Sequence, residues 1–104
     1  MTTVVVVADA EEQLTEIVHW WFEHRREAPM LVLEEFERCV TLLEHTPDVG
    51  TSFRRARIPG VRRVLLGRTK HFVYYVHDAA HDVVYVIAVW GAPLGGDPLL
   101  RTPR

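Results

Sequence analysis

Apolar positions recur along this chain with two periods, and the change from one to the other divides it into halves. Downstream of Val61 they alternate with polar positions in three runs bounded by turn residues. A period of two is the mark of a half-buried strand, because successive side chains leave opposite faces of a sheet. The pattern predicts strands near 61–67, 70–77 and 83–90, joined by Gly67-Arg68 and by Asp78-Ala79-Ala80-His81-Asp82 into an antiparallel meander. Upstream the spacing is helical. Leu14, Ile17, Val18, Trp21 and Ala28 share one face, widened by Trp20 and Phe22, while Glu11, Glu12, Glu16, Glu23 and Glu27 take the other. Asp9 followed by Glu12 reads as an N-cap with its capping-box partner.

Pro29 interrupts this pattern and suits the first turn of a second helix, with Glu34 and Glu35 behind it. Leu33, Phe36, Val40 and Leu43 set its buried stripe, and Glu44-His45-Thr46-Pro47 with Gly50 ends it. Ahead of both helices, four consecutive valines from Val4 to Val7 predict a short strand buried on both faces. Residues 47–60, with two prolines, two glycines and Arg54, Arg55 and Arg57, read as a basic connecting loop. The predicted class is α+β, in the order β-α-α-β-β-β: a two-helix antiparallel hairpin packed on a small, mainly antiparallel sheet. A chain of 104 residues holds this as a single domain.

Charge divides where the period does. Residues 1–50 carry three arginines against 11 carboxylates, a net −8, and residues 51–104 carry eight arginines and one lysine against three aspartates, a net +6. The overall −2 therefore hides a polar molecule. Seven cations from Arg54 to Lys70 occur with no intervening acid. Such a stretch suits a phosphate backbone or an acidic protein segment.

Other chemistry is sparse. Cys39, the one cysteine, lies among Val40, Leu42 and Leu43, which makes it core filler and points to a reducing, cytoplasmic setting. No run approaches the roughly 20 apolar residues of a membrane span, so no membrane partner is expected. Of the six histidines, His19 and His24 point away from each other on a helix, and His77 and His81 flank a turn with Asp78 and Asp82 but lack the helical spacing and third ligand of a zinc site. Neither a metal nor a cofactor is expected. Arg62 and Arg63 are adjacent on a strand and so face opposite ways, and either could hold a phosphate or carboxylate. Tyr74 and Tyr75 also face opposite ways, and with Tyr85 and Trp90 they give the sheet an aromatic on each side. Beside arginine, such rings can stack bases, although aromatics in a sheet more often pack.

The order of strand, helical hairpin, basic loop and meander, with Val61-Arg62, Tyr74-Tyr75-Val76 and the ending Val86-Ile87-Ala88-Val89-Trp90-Gly91-Ala92, resembles the RelE/ParE toxin superfamily of type II toxin–antitoxin systems. Ala28-Pro29 and Thr46-Pro47 with Gly50 fit the same group, and order and spacing carry the likeness over nearly the whole chain. The resemblance implies a growth-inhibiting toxin neutralised by a cognate antitoxin through an acidic amphipathic segment. ParE-like members are not nucleases and, where a target is known, poison DNA gyrase; RelE-like members cut mRNA on the ribosome. The nuclease alternative would draw on Arg62, Arg63, Lys70, His71 and Tyr75. RelE-like nucleases place Arg, Tyr or His at the end of the last strand and just beyond, where this chain has Gly91-Ala92-Pro93-Leu94-Gly95-Gly96, with no titratable side chain before Asp97. That departure favours the ParE-like, non-catalytic reading. Target or antitoxin contacts are then expected at Arg54, Arg55, Arg57, Arg62, Arg68, Lys70, Tyr75 and Trp90.

Overall fold

The computed structural model describes residues 1–91 together with 98, 100, 102 and 103. The elements follow in the order β1 (Thr3–Val6), α1 (Ala8–His24), α2 (Leu31–His45), β2 (Thr51–Ser52), β3 (Val61–Leu66), β4 (His71–Asp78) and β5 (Val83–Gly91). All strands belong to one five-stranded sheet in the order β1-β5-β4-β3-β2. The predicted meander is present, with β2 to β5 antiparallel and β3 to β5 within a residue or so of the expected bounds. β1 instead runs parallel beside β5, Thr3 opposite Val83 and Val6 opposite Val86. A parallel partner needs a long crossover, and here both helices and the meander supply it. β2 pairs Thr51 with Arg63 and Ser52 with Arg62, and at two residues it is too short to show a period.

Two expectations about the first residues are corrected. β1 is an edge strand rather than one buried on both faces: Val4 and Val6 pack on the core, while Val5 is 39% exposed. Nor does Asp9 cap α1. Val7 is the N-cap, in extended conformation and without a side-chain cap bond, because its N–H still donates to the Val86 carbonyl at the end of the β1–β5 ladder. The chain passes from strand to helix with no linker, so Asp9 falls in the first turn, where its charge suits the helix dipole.

Apolar side chains fill both faces of the sheet. On the helix side lie Phe36, Cys39, Leu43, Leu66, Val73, Tyr75, Val84, Val86 and Val89. The buried stripe of α2 is Val32, Phe36, Cys39 and Leu43, so Phe36 and Leu43 are where expected, whereas Leu33 and Val40 sit at its margins. Burial pushes the Cys39 thiol up to about 11, which fits an inert core residue. On the opposite face Phe53, Val61, Tyr74, Ile87 and Ala88 form a second cluster, with Ala56 and Ile58 of the basic loop and Leu100 packed on it. A bulge serves this face: Tyr74 pairs with Ala88 and Tyr75 with Val86, which leaves Ile87 as the extra residue. Beyond the end of β1, the Gln13 side chain of α1 accepts a hydrogen bond from the Val89 N–H at 2.9 Å. No helix among the described residues is long and apolar enough to cross a membrane.

Two buried polar contacts tie the elements together. Gly50 donates its N–H to the Tyr75 hydroxyl at 2.9 Å, and its carbonyl accepts from Arg62 Nη1 at 2.8 Å. Glu35, on the buried side of α2, accepts from the Arg68 N–H at 3.0 Å, the Thr69 N–H at 2.9 Å and the Thr69 hydroxyl at 2.7 Å, pinning the β3–β4 turn to the helix. Burial works against the ionised carboxylate, but the Thr69 hydroxyl and the two amides outweigh it and hold its pKa below the ordinary 4.5.

A Cβ at Gly50 would stand 2.7 Å from the Tyr75 hydroxyl, 2.8 Å from its ring and 3.0 Å from the Arg63 carbonyl. Tyr75 is fully buried and has nowhere to move, so Gly50→Ala should cost about 1–3 kcal/mol in urea unfolding. Unchanged stability would mean the loop is not held against the ring. Glu35 sets an acid limit. Its folded-state pKa is depressed, so its contribution is complete above the unfolded value and disappears as pH falls through the folded one. Between about pH 7 and pH 3 the wild type should lose more stability than Glu35→Gln, whose amide does not titrate over that range. Parallel losses in the two proteins would remove Glu35 from this role.

Candidate functional site

Alternation along β3 sorts its arginines. Arg62 lies opposite Tyr75 and Arg63 opposite Tyr74, so the two guanidinium groups leave the sheet on opposite faces. Arg62 goes to the helix side and donates inward to the Gly50 carbonyl. Arg63 goes to the helix-free face and lies among aromatic rings. Its guanidinium carbon is 4.0 Å from the centre of Phe72, 4.9 Å from Phe53 and 5.9 Å from Tyr74, and its Nη1 donates to the Tyr74 hydroxyl at 3.3 Å. Arg55 approaches the Phe53 ring too, at 5.5 Å. Phe53 and Tyr74 meet edge to face, 5.1 Å between centres.

The other predicted cations fall at the two ends of β3. Arg54, Arg55 and Arg57 are exposed on the loop that covers the helix-free face, and Arg68 and Lys70 are exposed on the β3–β4 turn. Six residues of strand separate the groups, on the order of 20 Å. Lys70 has a φ of 61°, and its N–H closes the turn onto the Leu66 carbonyl. Trp90, half-buried, pairs with Phe72 at the end of the sheet, and its Nε1 is buried with no hydrogen-bond partner among the described residues.

Among the described residues, the candidate nuclease groups Arg62, Arg63, His71 and Tyr75 do not gather around one point. Tyr75 is fully buried with its hydroxyl on Gly50, and burial raises its pKa against the lowering effects of Gly50 and Arg62. His71 is half-buried at the start of β4, beside a groove of about 450 Å³ between α1 and the end of the sheet, lined by Ile17, Trp20, Trp21, Arg25, Thr69 and His71 among others. Burial lowers the His71 pKa, partly offset by the Thr69 backbone and the Glu35 carboxylate, and its Nδ1 is buried without a hydrogen-bond partner among the described residues. Arg63 is across the sheet from both. The segment 92–97, where the nuclease residues of the wider superfamily are expected and missing, lies outside the described residues.

Several contributors escaped the sequence pattern. Phe53 sits in a loop without periodicity, Gly50 reads there only as a helix terminator, and Glu35 reads as a helix-start acid. Phe72 did carry a signal, since it shares the parity of Tyr74 on β4. On α1 the aromatic pair is wider than a core stripe: Trp20 is 45% exposed and stacks on His24 at 4.6 Å, Trp21 is half-buried, and Arg25 lies 5.4 Å and 5.7 Å from their rings. Pairs four apart on a helix, Trp20 with His24 and Trp21 with Arg25, are the trace this leaves in the sequence. His77 turns to Asp82 and His81 to Asp78, and among the described residues no group of three or more His, Cys, Asp or Glu gathers that could hold a metal.

Comparison with known proteins agrees with this layout. No curated protein sequence matches the chain. A solved structure titled "Chromosomal ParDE TA system from P. aeruginosa" superimposes with a TM-score of 0.68 at 16% identity, covering 88% of this chain and 96% of that one, which establishes a shared fold. The family described as "ParE toxin of type II toxin-antitoxin system, parDE" matches residues 4–92. That span takes in every element from β1 to β5, and this chain belongs to the ParE toxin family of type II toxin–antitoxin systems.

Proposed function

We propose that this toxin acts by binding rather than by catalysis, with DNA gyrase as its target, and that an antitoxin neutralises it in the cytoplasm by laying an acidic, amphipathic segment along the basic half. One observation carries the non-catalytic part. Cutting RNA at the 2′-oxygen needs a base for that proton, cations for the phosphorane and an acid for the leaving oxygen, all around one phosphate. In this chain Tyr75 is sealed on Gly50, Arg62 is directed to the Gly50 carbonyl, and Arg63 lies on the other side of the sheet. A single phosphate cannot reach all three. The antitoxin part is supported by the net +6 of residues 51–104, which sets the exposed Arg54 and Arg57 against an acidic partner. Gyrase as target comes from the ParE-like resemblance.

Toxicity per folded molecule should therefore survive the loss of acid–base groups. His71→Ala and Tyr75→Phe should each stay within about twofold of wild type, where removing a general acid or base would cost about 10²–10⁴ in rate. Tyr75→Phe should also lose about 1–3 kcal/mol of stability, because the buried Gly50 N–H is left without its acceptor. Growth arrest, gyrase supercoiling with purified toxin, and mRNA integrity on purified ribosomes would be measured side by side. Codon-specific mRNA cutting abolished by His71→Ala would overturn this reading in favour of a RelE-like ribosome-dependent endoribonuclease.

A further inference from the structure

We infer that Arg63 is the anchor of the antitoxin interface: a guanidinium held ready on the helix-free face to receive one carboxylate, beside an apolar row that takes the same segment's hydrophobic side chains. This rests on the reading that an acidic, amphipathic antitoxin segment docks on the basic half. Its starting point is the contrast within the arginine pair. Arg62 has its donor on an internal carbonyl, whereas Arg63 makes only a long bond to the Tyr74 hydroxyl and meets no carboxylate among the described residues. Phe72 at 4.0 Å and Phe53 at 4.9 Å hold its plane on the face of the sheet. An arginine side chain ordinarily loses rotamer freedom on binding; this one is already restrained, so a bidentate carboxylate contact comes at a smaller entropic cost.

The neighbours of Arg63 indicate what kind of anion it meets. Leu65, next on the same face of β3, is 46% exposed and lies opposite Phe72, which in turn lies opposite Trp90. Apolar row and cation together match a segment that alternates apolar and acidic side chains. A nucleic acid backbone has no use for the Leu65–Phe72 row.

Calorimetry with the full-length toxin, and the polypeptide from the short reading frame adjacent to its own as probe, tests this. Arg63→Glu should weaken binding about 100-fold and Arg63→Gln about 10-fold or more, with Arg63→Lys in between wild type and Arg63→Gln. Thermal unfolding identifies any variant that fails to fold, and Arg63→Lys, which keeps the charge and the stem, serves if the others do. Reversing the probe's acidic residues one at a time to Arg should give one that restores affinity for Arg63→Glu and not for Arg57→Glu. If the wild type fails to bind the probe, the antitoxin reading itself falls. If wild type and Arg63→Glu bind it equally, the docking reading stands and the Arg63 anchor falls. A 20-base-pair duplex bound by wild type and lost in Arg63→Glu, with probe affinity unchanged, would assign the face to nucleic acid instead.

Discussion

Much of this molecule depends on one residue, Gly50, whose two flanking peptide groups are both gripped within the helix-side layer. The Tyr75 hydroxyl takes its N–H and the Arg62 guanidinium takes its carbonyl, so the chain leaving α2 is stitched to the two central strands of the meander at once. Only a residue without a Cβ fits against that ring. From this point Thr51 and Ser52 can pair with Arg63 and Arg62, Phe53 can reach over the edge of the sheet, and the basic loop can fold down on the far face. The same grip decides what the neighbouring side chains can do: it commits Tyr75 and Arg62 to structure, and it leaves Arg63 as the arginine of β3 that looks outward.

A sheet with apolar clusters on both faces is demanding for a chain of this length, and the two faces are covered by unlike means. The helical hairpin covers one. Among the described residues the other has only the 53–60 loop and Leu100, and Phe72, Val76, Tyr85 and Trp90 lie half-buried at the margin of that cluster. Polar residues of the helices secure the sheet at its ends, Gln13 on the amide of Val89 and Glu35 on the β3–β4 turn. Both are acceptors supplied to N–H groups that the strand ladders leave unpaired, which is what a short sheet packed under helices requires.

The class, the meander and the two helices were legible because period alone encodes them. What was not legible came from contacts between residues far apart in sequence. Nothing in Val4 to Val7 says that the strand lies at an edge, since four valines read the same on an edge as in the centre. Asp9 failed as a cap because strand β1 hands the chain to α1 at Val7. Opposite orientation of Arg62 and Arg63 followed from the two-residue repeat, but which of them faced the helices depended on Gly50, 12 residues earlier in the chain. Glu35 looked like one acid among nine glutamates and proved to be the one that fastens the turn.

The parallel pairing of β1 with β5 has a consequence for how this protein is made. Residues 3–6 find their partners only at residues 83–86, so the first strand of the sheet waits for β5. Closing so long a loop must precede any gain from the pairing, which places it late and makes folding slow relative to the local hairpins of the meander. Until residues 83–86 have been made, the valine strand has no ladder to join. A growing chain therefore carries no finished sheet before β5 is made, and the fold closes only when its two most distant strands are both present.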